Sequence, residues 1–290
     1  MNGAAHYVGE CNRFCNTRVQ EGHVSSKKSP IDAINEFDNF NFEQIKKGLG
    51  AATLLPDDVL NLYEMHAGAV APYLATAPKS QRYSGALYFV CRKHLALGAT
   101  ALFRVYSAQT FRETRAAVEA AGIAYAIRDD PEKFKIFAED DGTEPRRRAA
   151  RNAFKSHVIF PKTIPKLALL KEFYDTASEL SHTNLTSFLR HLSRDNPKPH
   201  RFSYQDFQPK DINRDLPKTL FWLCDAHLAI LMAADLVFPD IPEGHIAAFK
   251  KERQYVFERV HRFHEAHGDS ISAARMLIKA YNEQGEQLEA

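Results

Sequence analysis

Two segments of the chain, 107–128 and 163–182, carry polar residues along one face of an otherwise apolar, helix-periodic sequence. These residues are Arg112, Arg115 and Glu119 in the first segment, and Tyr174, Ser178 and His182 in the second. Their spacings, i, i+3, i+7 and i, i+4, i+8, bring side chains to one side of a helix. Such helices must pack against other helices and must find partners for buried polar groups, which favours a helix-on-helix architecture.

Helical periodicity continues through the rest of the chain, and no segment shows the alternation that is typical of a strand. Ser107 is predicted as an N-cap and Gly98 as a kink or break. The predicted helices are 31–49, 56–76, 79–106, 107–128, 132–139, 146–157, 165–182, 183–194, 217–238, 243–267 and 269–283. The expected fold class is therefore all-α, a bundle of eight or more helices.

The composition suits one large domain or two ordinary ones. Of 290 residues, 44% are hydrophobic, with 20 Phe and 11 Tyr, which is enough for a sizeable core. Polar composition and Pro mark the regions between helices. The predicted organisation is a leader at 1–28, a helical bundle core at 29–194, a connecting loop at 195–216, and C-terminal helices at 217–290 that pack on the core.

Charge and cysteine content indicate a cytoplasmic protein without a membrane segment. The formal charge of +2 gives no general attraction to nucleic acid or membranes, and four Cys are too few for a disulfide framework. The most apolar stretch, 220–238, contains Asp225, His227 and Asp235. Because such residues are costly in lipid, this stretch is predicted to be a buried core helix.

The polar residues of the first two segments are the best candidates for a binding site. Antiparallel packing of the two helices would gather both trios in one polar network that binds a partner protein or a small ligand. The alternative is structural: Arg115 and Glu119 form an ordinary i, i+4 pair, and His182 is favoured by the helix dipole at a C-terminus.

Three stretches within about residues 80–195 carry a resemblance to a known group of proteins. They are FRETRAAVEAAGIAYAIRDDPEKF, RNAFKSHVIFP and LLKEFYDTASELSHTN. Their succession resembles uncharacterised bacterial all-helical proteins that are described as HEPN-like. The resemblance implies a helical bundle and puts Arg115, Glu119, Tyr174, Ser178 and His182 on the matching positions. It implies little about function.

The same resemblance suggests a metal-independent ribonuclease as an alternative function. Catalytic HEPN ribonucleases carry an Arg, a polar residue and then a His, a form that Arg151, Asn152 and His157 match. In that family the Arg holds phosphate, the His takes part in transesterification, and two copies meet in a dimer. A neighbouring basic patch would suit an RNA backbone. It consists of Arg146, Arg147, Arg148, Arg151 and Lys155. The alternative for this patch is a solvated helix face.

Metal binding is a further alternative. Glu179 with His182 and Glu258 with His261 fit Glu-x-x-His, the half-motif of di-metal helical-bundle oxidases. Glu119 and Asp225 would complete that set. A zinc site in the leader would use Cys11, Cys15, His6 and His23. Neither pattern is specific, and phosphate-binding and nucleophile motifs are missing from the sequence, so the leading hypothesis is a non-catalytic binding protein without a cofactor.

Overall fold

A computed structural model describes residues 29–181 and 216–267, and it is α-helical with no β-strand in these ranges. A short 3₁₀-helix, Gly50–Leu54, follows the first α-helix. The α-helices are α1 (Pro30–Leu49), α2 (Leu55–Thr76), α3 (Lys79–Phe103), α4 (Ser107–Arg128), α5 (Pro131–Ala138), α6 (Glu144–Ala153), α7 (Ser156–Ile159), α8 (Pro165–Ser181), α9 (Leu216–Met232), α10 (Ala234–Val237) and α11 (Glu243–His267). The prediction of an all-α bundle of at least eight helices is confirmed.

Several helix ends follow from capping residues that are visible in the sequence. Ser29 begins α1 as a capping box, because Asp32 N donates to Ser29 Oγ at 3.1 Å while Ser29 N donates to Asp32 Oδ2 at 3.2 Å. Gly50 ends α1 with a φ of +52°, a conformation that glycine adopts without strain. Asp130 caps α5 by accepting from Lys133 N at 2.9 Å.

The turn between α3 and α4 differs from the prediction, because Ser107 is the first helical residue and not the N-cap. Helix α3 ends in a Schellman arrangement in which Tyr106 N donates to Ala101 O at 2.8 Å. Val105 occupies the left-handed position of this motif with a φ of 66°. Tyr106 therefore precedes α4, and its hydroxyl donates to Asp38 at 2.9 Å.

Small residues let α3 and α4 pack as a close antiparallel pair. Ser84 donates to the carbonyl of Ala124, and Cys91 Sγ lies 3.2 Å from the carbonyl of Ala117, one heptad further along. Short side chains of this kind reach a neighbouring backbone only where two helices approach closely. The pair is continuous over its whole length.

The predicted break at Gly98 is wrong, since α3 runs through it without interruption. Thr110 Oγ1 of α4 donates to the Gly98 carbonyl at 3.1 Å, one heptad beyond Cys91. A Cβ at Gly98 would lie 3.2 Å from Leu223 Cδ1 of α9. Glycine here allows close packing on two sides.

Helix α9 lies in the core of the compact unit that begins at Asp38. Every residue from Leu220 to Met232 is buried. By length and hydropathy the stretch Leu216–Val237 could cross a membrane, but 89% of its most apolar window is buried by the rest of the protein. The predicted burial of this stretch is confirmed, although the helix breaks at Ala233 before α10.

Gly122 sets the contact between α4 and the end of α7. A Cβ on Gly122 would lie 2.6 Å from Phe160 Cε1 and 3.3 Å from Ile159 Cβ. Phe160 is 1% exposed, and its ring also packs on Tyr174 with 5.5 Å between ring centroids. The ring has little room to move away from an added methyl group.

We expect Gly122→Ala to destabilise the protein by about 1–3 kcal/mol, the usual cost of overpacking a core. This cost exceeds the gain of about 1 kcal/mol from helix propensity. Unfolding in urea measures the change. The control is Gly68→Ala in α2, an exposed site with no atom within 4 Å of the added Cβ, where a gain of about 0.5–1 kcal/mol is expected. Stabilisation by both substitutions would contradict this prediction, because it would show that the Phe160 ring moves away from the added methyl group at little cost.

Candidate functional site

Helices α4 and α8 pack side by side and run antiparallel. Gly122 lies against Phe160, which precedes α8, whereas Arg115, two turns earlier in α4, contacts Tyr174 in the middle of α8. Advancing along α8 therefore means moving back along α4. This is the arrangement that the polar-network hypothesis requires.

The guanidinium of Arg115 lies over the ring of Tyr174. Arg115 Nη2 donates to Tyr174 Oη at 3.1 Å, and Cζ is 5.2 Å from the ring centroid, within cation–π distance. Tyr174 is itself held by the buried ring of Phe160. The core thus positions Tyr174, and Tyr174 positions the arginine.

Arg115 is half-buried, yet no carboxylate is paired with it in the part of the chain that the structure describes. Its Nε is buried and has no hydrogen-bond partner within residues 29–181 and 216–267. Several other arginines do have a carboxylate partner. They are Arg92, Arg104, Arg128, Arg146, Arg151 and Arg259. A partly desolvated cation without a counter-charge is costly, so an anion that reached Arg115 would gain a favourable interaction.

Two other predicted members of the cluster, Ser178 and Glu119, flank this contact. Ser178 Oγ, one turn beyond Tyr174, is buried and has no hydrogen-bond partner among the described residues. Because the helices are antiparallel, Ser178 lies towards the start of α4, and the half-buried Glu119 lies on the other side of the contact. Arg112 is exposed.

The alternative prediction, an ordinary i, i+4 ion pair between Arg115 and Glu119, is wrong. No ion pair joins these two side chains in the described residues. Arg115 extends sideways to α8 and not along its own helix. His182 lies outside the described residues, and α8 is described to Ser181, whose hydroxyl donates to the Ser178 carbonyl at 3.3 Å.

The predicted basic patch is an exposed, mixed-charge surface. All five of its basic side chains are exposed, and α6 has no buried residue. Arg146 is paired with Glu139 and Arg151 with Glu144. Segment 139–155 contains four acidic residues beside its five basic ones, so its positive charge is largely balanced.

The residues of the ribonuclease hypothesis are divided between two helices. The single helix predicted at 146–157 is wrong, because α6 ends at Ala153 and α7 begins at Ser156. Phe154 at the break packs edge to face on Phe137, with 6.3 Å between ring centroids. Asn152 on α6 and His157 on α7 are both exposed.

The structure brings few residues of the two metal hypotheses together. In the described ranges no group of three or more His, Cys, Asp or Glu side chains is positioned to hold a metal ion. Glu258 accepts from Gln254 at 2.7 Å, and His261 is 3.4 Å from Glu265 on the same helix. His182 and the four leader residues of the zinc hypothesis lie outside the described residues.

A second group of buried polar side chains, in the core, was not predicted as a group. Tyr63 Oη and His227 Nδ1 are 3.0 Å apart, and the rings of His66 and Tyr88 meet edge to face at 5.4 Å between centroids. In the described part of the chain, three buried atoms of this group have no hydrogen-bond partner: His66 Nδ1, Tyr88 Oη and His227 Nε2. Burial lowers the pKa of His66 to about 4 and that of His227 to about 3, so both rings are neutral at pH 7. In the sequence, the signal for this buried group is the presence of polar residues within otherwise apolar helices.

Asp225 is a buried carboxyl group on α9. It is 8% exposed, and burial raises its pKa to about 7. The sequence suggested Asp225 as a metal ligand. The cause of its raised pKa is desolvation by burial, and not a charged neighbour.

Comparison with family models, curated proteins and solved structures finds no match to this chain. Function must therefore be inferred from the side chains.

We expect Asp225→Asn to stabilise the protein above pH 7, because the substitution removes the cost of ionising a buried carboxyl group. A pKa near 7 in the folded state and 3.8 in the unfolded state corresponds to at most roughly 4 kcal/mol. The gain should shrink as pH falls from 7 to 4, where the wild-type group is protonated in the folded protein. Urea unfolding at several pH values measures it. Asp57→Asn, at an exposed site, should show no such trend, and an Asp225→Asn gain that is independent of pH would contradict the assignment.

Proposed function

We propose that the protein is a non-catalytic, cytoplasmic binding protein that holds an anionic group of a ligand or partner at Arg115. The observation that carries this proposal is the half-buried guanidinium, which has no carboxylate partner among the residues that the structure describes. Arginine has five N–H donors in a planar fork that matches an anion with two oxygens. Tyr174 accepts from one of them, and the buried Nε is unused.

The surroundings of Arg115 favour a carboxylate over a phosphate. Glu119, one turn along α4, is half-buried, and its side chain starts about 6 Å from that of Arg115. A dianionic phosphate would be repelled by Glu119 more strongly than a monoanionic carboxylate. Ser178 Oγ, one turn along α8 from Tyr174, adds a buried hydroxyl, a group that can donate to a carbonyl or carboxylate oxygen.

We expect millimolar acetate, compared with chloride at equal ionic strength, to raise the melting temperature of the wild-type protein. A ligand at about ten times its Kd contributes about 1.4 kcal/mol, or about 2–4 °C for a protein of this size. Inorganic phosphate should raise the melting temperature less. Glu119→Gln should reduce this difference because it removes the repulsion.

Arg115→Gln should abolish the response to acetate, whereas Arg112→Gln, an exposed arginine on the same helix, should leave it unchanged. Comparison of these two variants distinguishes binding at Arg115 from a general effect of removing one positive charge. Equal responses in the wild type and in Arg115→Gln would overturn the proposal.

The HEPN-like resemblance and the ribonuclease alternative have a separate test. Arg151 is engaged by Glu144, and the positive charge around it is balanced, so we expect the purified protein to leave single-stranded RNA intact. Cleavage by the wild type that is lost in His157→Ala would instead establish the ribonuclease.

A further inference from the structure

The solvent-facing side of α3 carries an apolar stripe with heptad spacing. Tyr83, Val90 and Leu97 follow one another at seven-residue intervals and are 42%, 40% and 43% exposed. Other exposed residues complete the same face at the intermediate positions: Ala86, Lys93 and Thr100. The alternation of three and four residues is the spacing of a and d positions in a two-stranded coiled coil, with apolar residues at each a position and Ala86, Lys93 and Thr100 at the d positions.

This stripe is separate from the faces that α3 uses within the protein. Ser84 and Cys91 point to α4, and Gly98 meets α4 and α9. At one end of the stripe Tyr83 meets the ring of Phe134 in α5, with 5.5 Å between centroids. From Ala86 onwards the stripe faces solvent.

The charge of α3 is of one sign. None of its 25 residues is acidic. Arg92 is paired with Glu64 of α2, at 2.5 Å. Lys93 within the stripe and Arg82 beside it are exposed and have no acidic partner in the described part of the chain.

We propose that this face of α3 binds an acidic amphipathic helix of a partner protein by coiled-coil-like pairing. A partner with apolar residues at its own a and d positions would cover Tyr83, Val90 and Leu97. Its Glu or Asp residues would neutralise Arg82 and Lys93. The stripe from residue 83 to 100 spans about 27 Å, or five helical turns.

Charge and width argue for this occupant over two others. A second copy of α3 would set lysine and arginine against lysine and arginine, and like charges across a seam are unfavourable. Helices that lie in a membrane surface present a wide apolar face, whereas this stripe is one residue wide and is interrupted by Lys93.

The test uses a fluorescently labelled helical peptide of about three heptads, with Leu at a and d and Glu at the flanking positions, and measures its anisotropy with the full-length protein. We expect this peptide to bind at least about tenfold more tightly than a peptide in which Lys replaces each Glu. Raising salt from about 50 to about 300 mM should weaken its binding. Equal affinity for both peptides, or no binding, would overturn the proposal.

Val90→Glu and Lys93→Glu should each weaken binding of the acidic peptide at least fivefold without changing the melting temperature, because both side chains are exposed. The control for Lys93→Glu is Lys251→Glu, which makes the same charge change at an exposed site on α11 and should leave affinity within about twofold of wild type. If Val90→Glu left the affinity for the acidic peptide unchanged, the peptide would contact another surface and the proposal would be overturned.

The other two occupants give distinct results. Concentration-dependent dimerisation that Val90→Glu abolishes would show that a second copy covers the stripe, and it would overturn the proposal. Binding to vesicles of anionic phospholipid that Val90→Glu abolishes, without binding of the acidic peptide, would overturn it in favour of a membrane surface. The anion site at Arg115 does not enter either measurement.

Discussion

The close antiparallel contact between α3 and α4 is the constraint on which the rest of the described bundle depends. At three successive heptads a short side chain of one helix lies against a carbonyl oxygen of the other: Ser84 with Ala124, Cys91 with Ala117, and Thr110 with Gly98. These contacts leave no space for larger side chains in the seam. The two helices thus form a rigid pair, and α8, α9 and α5 pack around it.

Both proposed functional surfaces are consequences of this pair. Because α4 packs on α3 along one side, its other sides meet α8, α9 and solvent, and the half-buried Arg115 contacts α8. The same packing directs Tyr83, Val90 and Leu97 of α3 outwards. One contact therefore creates an arginine without a counter-charge on one helix and an unpaired apolar stripe on the other.

The buried polar groups of the core play a different part. His66 and His227 are held neutral by burial, and Tyr63 satisfies one nitrogen of His227. Because both rings are neutral at pH 7, this group adds no positive charge to the core. These buried polar groups also restrict how the apolar helices can pack, because burying a polar atom without a hydrogen-bond partner is costly.

Apolar periodicity by itself determined several helices: 107–128 is predicted with the observed ends, 243–267 matches the described extent of α11, and the first helix is predicted to end at residue 49, as observed. The polar face of α4 was also visible, because residue spacing is a local property. The local rules were wrong at Gly98, at Ser107 and at Phe154, where packing against another helix or a Schellman turn outweighs intrinsic preference. Only the tertiary structure decided that Arg115 pairs with Tyr174 and not with Glu119, and that Asp225 is buried without a charged partner. Such choices depend on which helices are neighbours, and spacing along one chain does not contain that information.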